Sequence, residues 1–99
     1  MDKIIWSLDA LEDVSEIGLF IERDSAHYAE VIVNRLYSSV DRLIEFPRSG
    51  RPIPELGIAT VRELIVEGYR IIYELGDDSI GIVAVISGRQ DLRKKLTRE

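Results

Sequence analysis

Apolar residues recur every three to four positions as far as residue 46 and every two positions from residue 61 onward, with all three prolines falling in between. A period near 3.6 belongs to helices with one buried face, and a period of two to strands. The first half should therefore be helical and the second a sheet. Before the helices, Lys3-Ile4-Ile5-Trp6 reads as a short strand. Ser7 is a good N-cap, and Asp9 with Glu12 offers a second with capping-box spacing. Leu11, Val14, Ile17 and Ile21 then mark an amphipathic helix to about Arg23, with Gly18 suggesting close approach of a neighbouring helix. Asp24 or Ser25 restarts a second helix to about Glu45 or Phe46, where Pro47 stops it. Its stripes, Tyr28-Ile32-Leu36-Val40-Leu43 and Val33-Tyr37-Val40-Ile44, are wide enough to face both a sheet and the first helix.

Residues 46–57 form the only long loop. After it, residues 61–67 read as a strand, Gly68 as a turn, and Tyr69 to Leu75 as a second strand closed by Gly76-Asp77-Asp78. Residues 80–87 are apolar on both faces, with Ile82, Ala84 and Ile86 set against Val83 and Val85, so this strand should be central. Gly88 ends it, and residues 91–97 suggest a short basic helix. The expected fold is one α+β domain over residues 1–99, β-α-α-β-β-β: a helical hairpin packed on a largely antiparallel twisted sheet, with a short C-terminal basic segment.

Composition removes several function classes. With no cysteine there is no disulfide framework, thiolate metal site or cysteine nucleophile, and a single histidine argues against a His-rich metal centre. No metal and no cofactor are expected. The longest apolar run, Ile82 to Ile86, is far short of the ~20 residues that span a bilayer. Asp2 and Lys3 followed by strand-like sequence do not read as a secretory leader. No membrane association is therefore expected, and the cytoplasm is the default location. The net charge of −5 is uneven: residues 1–46 hold 4 basic and 10 acidic side chains, whereas residues 47–99 hold 9 and 8. An acidic first half is poorly suited to grip a phosphate backbone over a wide face. A protein partner fits better.

Several segments in this order resemble the ParE/RelE superfamily of toxins from bacterial type II toxin–antitoxin modules. They are Trp6-Ser7 before an acidic helix, Phe46-Pro47-Arg48-Ser49-Gly50-Arg51-Pro52, Val61-Arg62-Glu63-Leu64, Gly68-Tyr69-Arg70-Ile71-Ile72-Tyr73, and Gly88-Arg89-Gln90-Asp91. The proline loop and the final Gly-Arg-Gln-Asp are closer to the ParE branch. That resemblance implies a growth inhibitor that binds DNA gyrase and traps cleaved DNA, a role in plasmid stabilization, and a cognate antitoxin as partner. It is then an inhibitor rather than an enzyme. The RelE branch implies instead an endoribonuclease acting on ribosome-bound mRNA, with Arg62, Arg70 and Arg89 as its cations. Against that alternative, nothing after Tyr73 is aromatic, and Glu63 and Glu67 put carboxylates where a phosphate would sit. A second alternative is a non-toxic module that only binds antitoxin.

Six residues are candidates for target or antitoxin contact: Phe20, Tyr37, Arg89, Gln90, Arg93 and Lys94. A segment that folds on binding needs apolar anchors and complementary charge. Leu19 and Phe20 lie off the main stripe, where they extend an apolar groove, although packing on the loop at Pro52–Leu56 is an alternative. Glu16, Glu22 and Glu30 should meet basic residues, and Arg89, Arg93 and Lys94 acidic ones. Other roles are structural: Arg70 in a cross-sheet ion pair to Glu63 or Glu74, Trp6 in packing, Tyr69 and Tyr73 in the core. His27 reads as an exposed bystander, and Lys95 and Arg98 as part of a solvated tail.

Overall fold

The computed structural model describes residues 3–98; Met1, Asp2 and Glu99 lie outside the described residues. Along the chain come β1 (Lys3–Trp6), α1 (Leu8–Glu22), α2 (Ala26–Ser39), a 3-10 turn over Asp41–Leu43, β2 (Arg51–Pro52), β3 (Val61–Val66), β4 (Tyr69–Leu75), β5 (Ser79–Ser87) and α3 (Leu92–Leu96). The five strands form one sheet in the order β1-β5-β4-β3-β2. Only the β1–β5 pairing is parallel. Between those two strands the chain runs through the helical hairpin and then β2, β3 and β4, a long connection of the kind a parallel pair requires. The α+β reading from sequence is the observed fold, with β2 as an added strand inside the proline loop.

Local chemistry explains the helix starts. Ser7 and Ser25 have extended backbones, and their hydroxyls accept from the Ala10 and Tyr28 amides at 3.0 and 3.1 Å. Each satisfies an amide that the helix cannot. Gly18 does lie against the neighbouring helix: a Cβ there would sit 3.0 Å from Val33 Cγ2.

Four details differ from the sequence reading. The buried stripe of α1 runs through Ala10, Asp13 and Val14, while Leu11 is 38% exposed. Ala10, Val14, Ile17 and Ile21 share the same helical period, so the stripe is centred one residue earlier. Second, α2 ends at Ser39, not Glu45 or Phe46. The Ser39 and Ser38 hydroxyls donate to the Leu36 and Arg35 carbonyls at 2.8 and 3.4 Å, which competes with helix propagation. The chain tightens into the 3-10 turn and still buries Val40 and Leu43.

Third, β5 is an inner strand as expected, flanked by β1 and β4, but its side chains alternate differently from the sequence pattern. A register irregularity at Ile72/Tyr73 skips Val83 in the pairing and shifts the alternation of β5. Ile80, Ile82 and Val85 therefore join the core beneath the helices, while Ala84 and Ile86 join a second cluster. The fourth difference is that second cluster, on the other face of the sheet. Ile53 from the loop and Leu92 from α3 cover Ile72, Ala84 and Ile86 there, with Leu56 and Leu96 alongside. The loop thus roofs a small core of its own. No helix among the described residues is long and apolar enough to cross a membrane.

Candidate functional site

Asp13 sits on the inward face of α1 and is 4% exposed. Its carboxylate accepts from the Val85 amide at 2.9 Å, from both Arg98 terminal nitrogens at 2.8 and 3.0 Å, and pairs with Lys95 Nζ at 3.0 Å. Burial pushes this carboxyl up, but Arg98, the Val85 amide and Lys95 outweigh burial and hold it below its ordinary range. Lys95 and Arg98 are therefore structural clasps, not a solvated tail. They draw the C-terminal segment toward α1, where Asp13 and Lys95 line an open hollow of about 470 Å³. Ile17, Phe20, Tyr69 and Val85 form its apolar lining, with Glu16 and Arg89 among its charged residues.

Three of the six predicted contact residues, Phe20, Arg89 and Gln90, meet in this hollow. Phe20 is 60% exposed, and the Arg23 guanidinium lies 5.8 Å from its ring centre. Gln90 is fixed in the turn after β5, its side-chain carbonyl accepting from the Ser87 amide at 2.9 Å. Arg89 has no hydrogen bond or ion pair among the described residues. Tyr37 lies elsewhere, its ring 4.9 Å from that of Trp6 at a tilted angle. Arg93 donates to the Glu55 carbonyl, and Lys94 lines a shallower hollow with Gln90, Asp91, Lys95 and Arg98.

On the opposite face of the sheet, Glu63 is buried and accepts from Arg51 Nε and Arg70 Nε, each at 2.6 Å. Arg70 also makes a two-pronged bond to Glu55 at 2.9 and 3.1 Å. Glu55 and Glu63 hold the Arg70 guanidinium above its already high pKa, so it is a permanent cation with its charge already met. Arg62 belongs to the helix-side face with Leu64 and Tyr73, and donates to the Gly50 carbonyl at 2.9 Å. Arg70 and Arg62 thus face opposite sides of the sheet, and Arg89 lies beyond β5. The structure does not bring the three nuclease candidates together.

Tyr73, fully buried beneath the proline loop, donates to the Pro47 carbonyl at 2.9 Å and accepts from the Gly50 amide at 3.0 Å. Burial raises its pKa despite the opposing influence of that amide and of Arg62, Arg42 and Arg48. A buried, doubly bonded and strongly protonated phenol anchors a loop and is badly placed to reach a substrate. Sequence reasoning missed the role of Asp13, and it had Glu63 as a possible partner of Arg70 but not as a buried carboxylate shared with Arg51. The available signal was a carboxylate on an apolar stripe in one case, and one flanked by strand apolar residues in the other. No group of three or more His, Asp or Glu side chains among the described residues is arranged to hold a metal ion.

Comparison with known proteins bears on this arrangement. Residues 4–92 match the family model described as the ParE toxin of the type II toxin–antitoxin system parDE. A Sinorhizobium fredii protein, Y4kP, is 38% identical over 90 residues, spanning 89% of this chain and 90% of that one. Toxin RelE2 of Caulobacter vibrioides is 35% identical over 86 residues, spanning 86% and 93%. In structure, the chain is similar to a component of the chromosomal ParDE toxin–antitoxin system of P. aeruginosa, with a TM-score of 0.73 at 20% identity, covering 88% of this chain and 96% of that one. That last likeness is one of fold.

Proposed function

This chain belongs to the ParE toxin family of type II toxin–antitoxin systems, within the ParE/RelE superfamily, and we propose that it is a growth inhibitor that binds DNA gyrase and is neutralised by a cognate antitoxin. The observation that carries the choice of target is the saturation of Arg70. Cleavage of RNA by its own 2′-hydroxyl needs free cations for the phosphate and a proton donor for the leaving group. Arg70 is held by two carboxylates, Arg62 lies on the other face, and the hydroxyl of Tyr73 is consumed by the loop. A binding protein needs none of these groups free. The relative named RelE2 speaks for the nuclease reading, and the same groups weigh against it. In cells, expression without antitoxin should produce gyrase-dependent filamentation and an SOS response. No growth effect at all would favour a module that only binds antitoxin.

For the antitoxin, the hollow beside Phe20 supplies what a folding segment needs. Its lining is apolar, Arg89 stands free at the rim, and Leu19 continues the exposed surface along α1. Glu16, Glu22 and Glu30 favour basic residues over the helices, and Arg89 with Lys94 favours acidic ones at the far end. Binding of the antitoxin's C-terminal segment should weaken by about 2 kcal/mol or more in Phe20→Ala and Arg89→Ala. Tyr37→Ala tests whether the contact extends to the Trp6 side of the hairpin. If all three folded variants bind within about 0.5 kcal/mol of the parent, the segment docks elsewhere.

A further inference from the structure

The proline loop carries a surface that neither the sheet nor the hollow beside Phe20 uses. Phe46 is 61% exposed at its start and lines, with Glu45, Pro47, Arg48 and Ser49, a mostly apolar hollow of about 490 Å³. The loop is held firmly. Phe46 donates its amide to the Arg42 carbonyl, Ser49 donates to that of Phe46, and Tyr73 and Arg62 grip Pro47 and Gly50 from within. Two arginines flank Phe46 along the chain. Elsewhere Arg35, Arg51, Arg70 and Arg98 are all matched by carboxylates. Arg42 and Arg48 are exposed and have no ion pair or side-chain hydrogen bond among the described residues. Their charge is felt by the buried Tyr73 hydroxyl, whose pKa it lowers. Glu45, the one carboxylate lining the hollow, is ion-paired to neither.

Resting on the reading of the chain as a gyrase inhibitor, we infer that this knob is where the toxin grips that target, through a short acidic segment of gyrase with one apolar side chain. The apolar side chain fills the hollow against Phe46, and flanking carboxylates meet Arg42 and Arg48. Charge and shape favour this occupant over nucleic acid. Two free arginines neutralise about two phosphates, too few for useful backbone affinity, and the whole chain carries −5. The surface is also distinct from the proposed antitoxin hollow. That hollow touches Tyr69, whereas the loop rests on Tyr73, four residues or roughly 13 Å further along β4.

The test titrates purified parent, Phe46→Ala and the double variant Arg42→Glu/Arg48→Glu into a gyrase supercoiling assay, with thermal unfolding as the control for folding. These side chains are exposed, so both variants should melt with the parent. Each should require roughly tenfold or more protein for half-inhibition. Folded variants that inhibit within about twofold of the parent overturn the surface while leaving the gyrase reading intact. A parent that leaves supercoiling untouched overturns both. A labelled single-stranded oligonucleotide that binds the parent and is released by the charge reversal replaces the protein occupant with nucleic acid and overturns the inference.

Discussion

Gly50→Ala should unfold this protein more readily than alanine at any other glycine. A Cβ at residue 50 would lie 2.5 Å from the Glu63 carbonyl oxygen, 2.5 Å from the Tyr73 hydroxyl and 2.8 Å from Tyr73 Cε1. None of these neighbours yields cheaply. The carbonyl is part of β3, and the phenol is buried with both its hydrogen bonds made. Overpacking commonly costs 1–3 kcal/mol, and here it also breaks the Gly50–Tyr73 bond, so a loss of about 3 kcal/mol or more is expected. Gly81→Ala meets open space within 4 Å and serves as the control. Gly68→Ala is strained by a φ of +82° but meets no atoms, and should cost about 1 kcal/mol. Urea unfolding midpoints at equal m-value read all three. An unchanged midpoint for Gly50→Ala contradicts the close packing of the loop on Tyr73.

The second large effect belongs to Asp13. Removing one partner of a buried ion pair leaves the others uncompensated, typically at 3–5 kcal/mol. In Asp13→Ala the Val85 amide also loses its acceptor, while Lys95 and Arg98, with side chains 15% and 26% exposed, regain only part of their hydration. A loss of about 3–5 kcal/mol at neutral pH is therefore expected. Asp13→Asn keeps an acceptor for Val85 and should lose less. The folded carboxyl titrates below the ordinary value of 3.8, so its contribution is present above that pH. It disappears as the pH falls through the folded value. The stability gap between parent and Asp13→Asn should accordingly shrink as the pH is lowered from neutral to below 3.8. A gap that stays constant across that range means the Asp13 charge contributes nothing.

These two residues show where sequence reasoning stops. Short-range rules located both helix starts, because Ser7 and Ser25 cap amides only three residues away. They located β3 and β4, whose pairing closes a tight turn. They did not locate the Asp13 clasp, which joins residues 72 and 85 positions apart. The shifted alternation in β5 was equally hidden, since a bulge is decided by what both neighbouring strands bury. The end of α2 was misread because a helical period continues through Val40 and Leu43 even after the backbone has tightened. At the candidate site, family resemblance selected Arg89 and Gln90 and an off-stripe position selected Phe20. Their meeting in one hollow depends on how α1 lies across β5. Arg70 illustrates the opposite case: the local alternative of a salt bridge to Glu63 is what the chain does.

Whether the protein inhibits by binding or by cutting RNA is decided most directly by the fate of DNA in the presence of gyrase. Purified protein, gyrase and supercoiled plasmid are incubated together, and then treated with detergent and protease to reveal broken strands. Inhibition by binding gyrase should give linear DNA that accumulates with added protein and is suppressed by the antitoxin. Intact DNA in that assay, together with codon-positioned cuts in ribosome-bound mRNA that vanish in Arg70→Ala or Arg89→Ala, contradicts it.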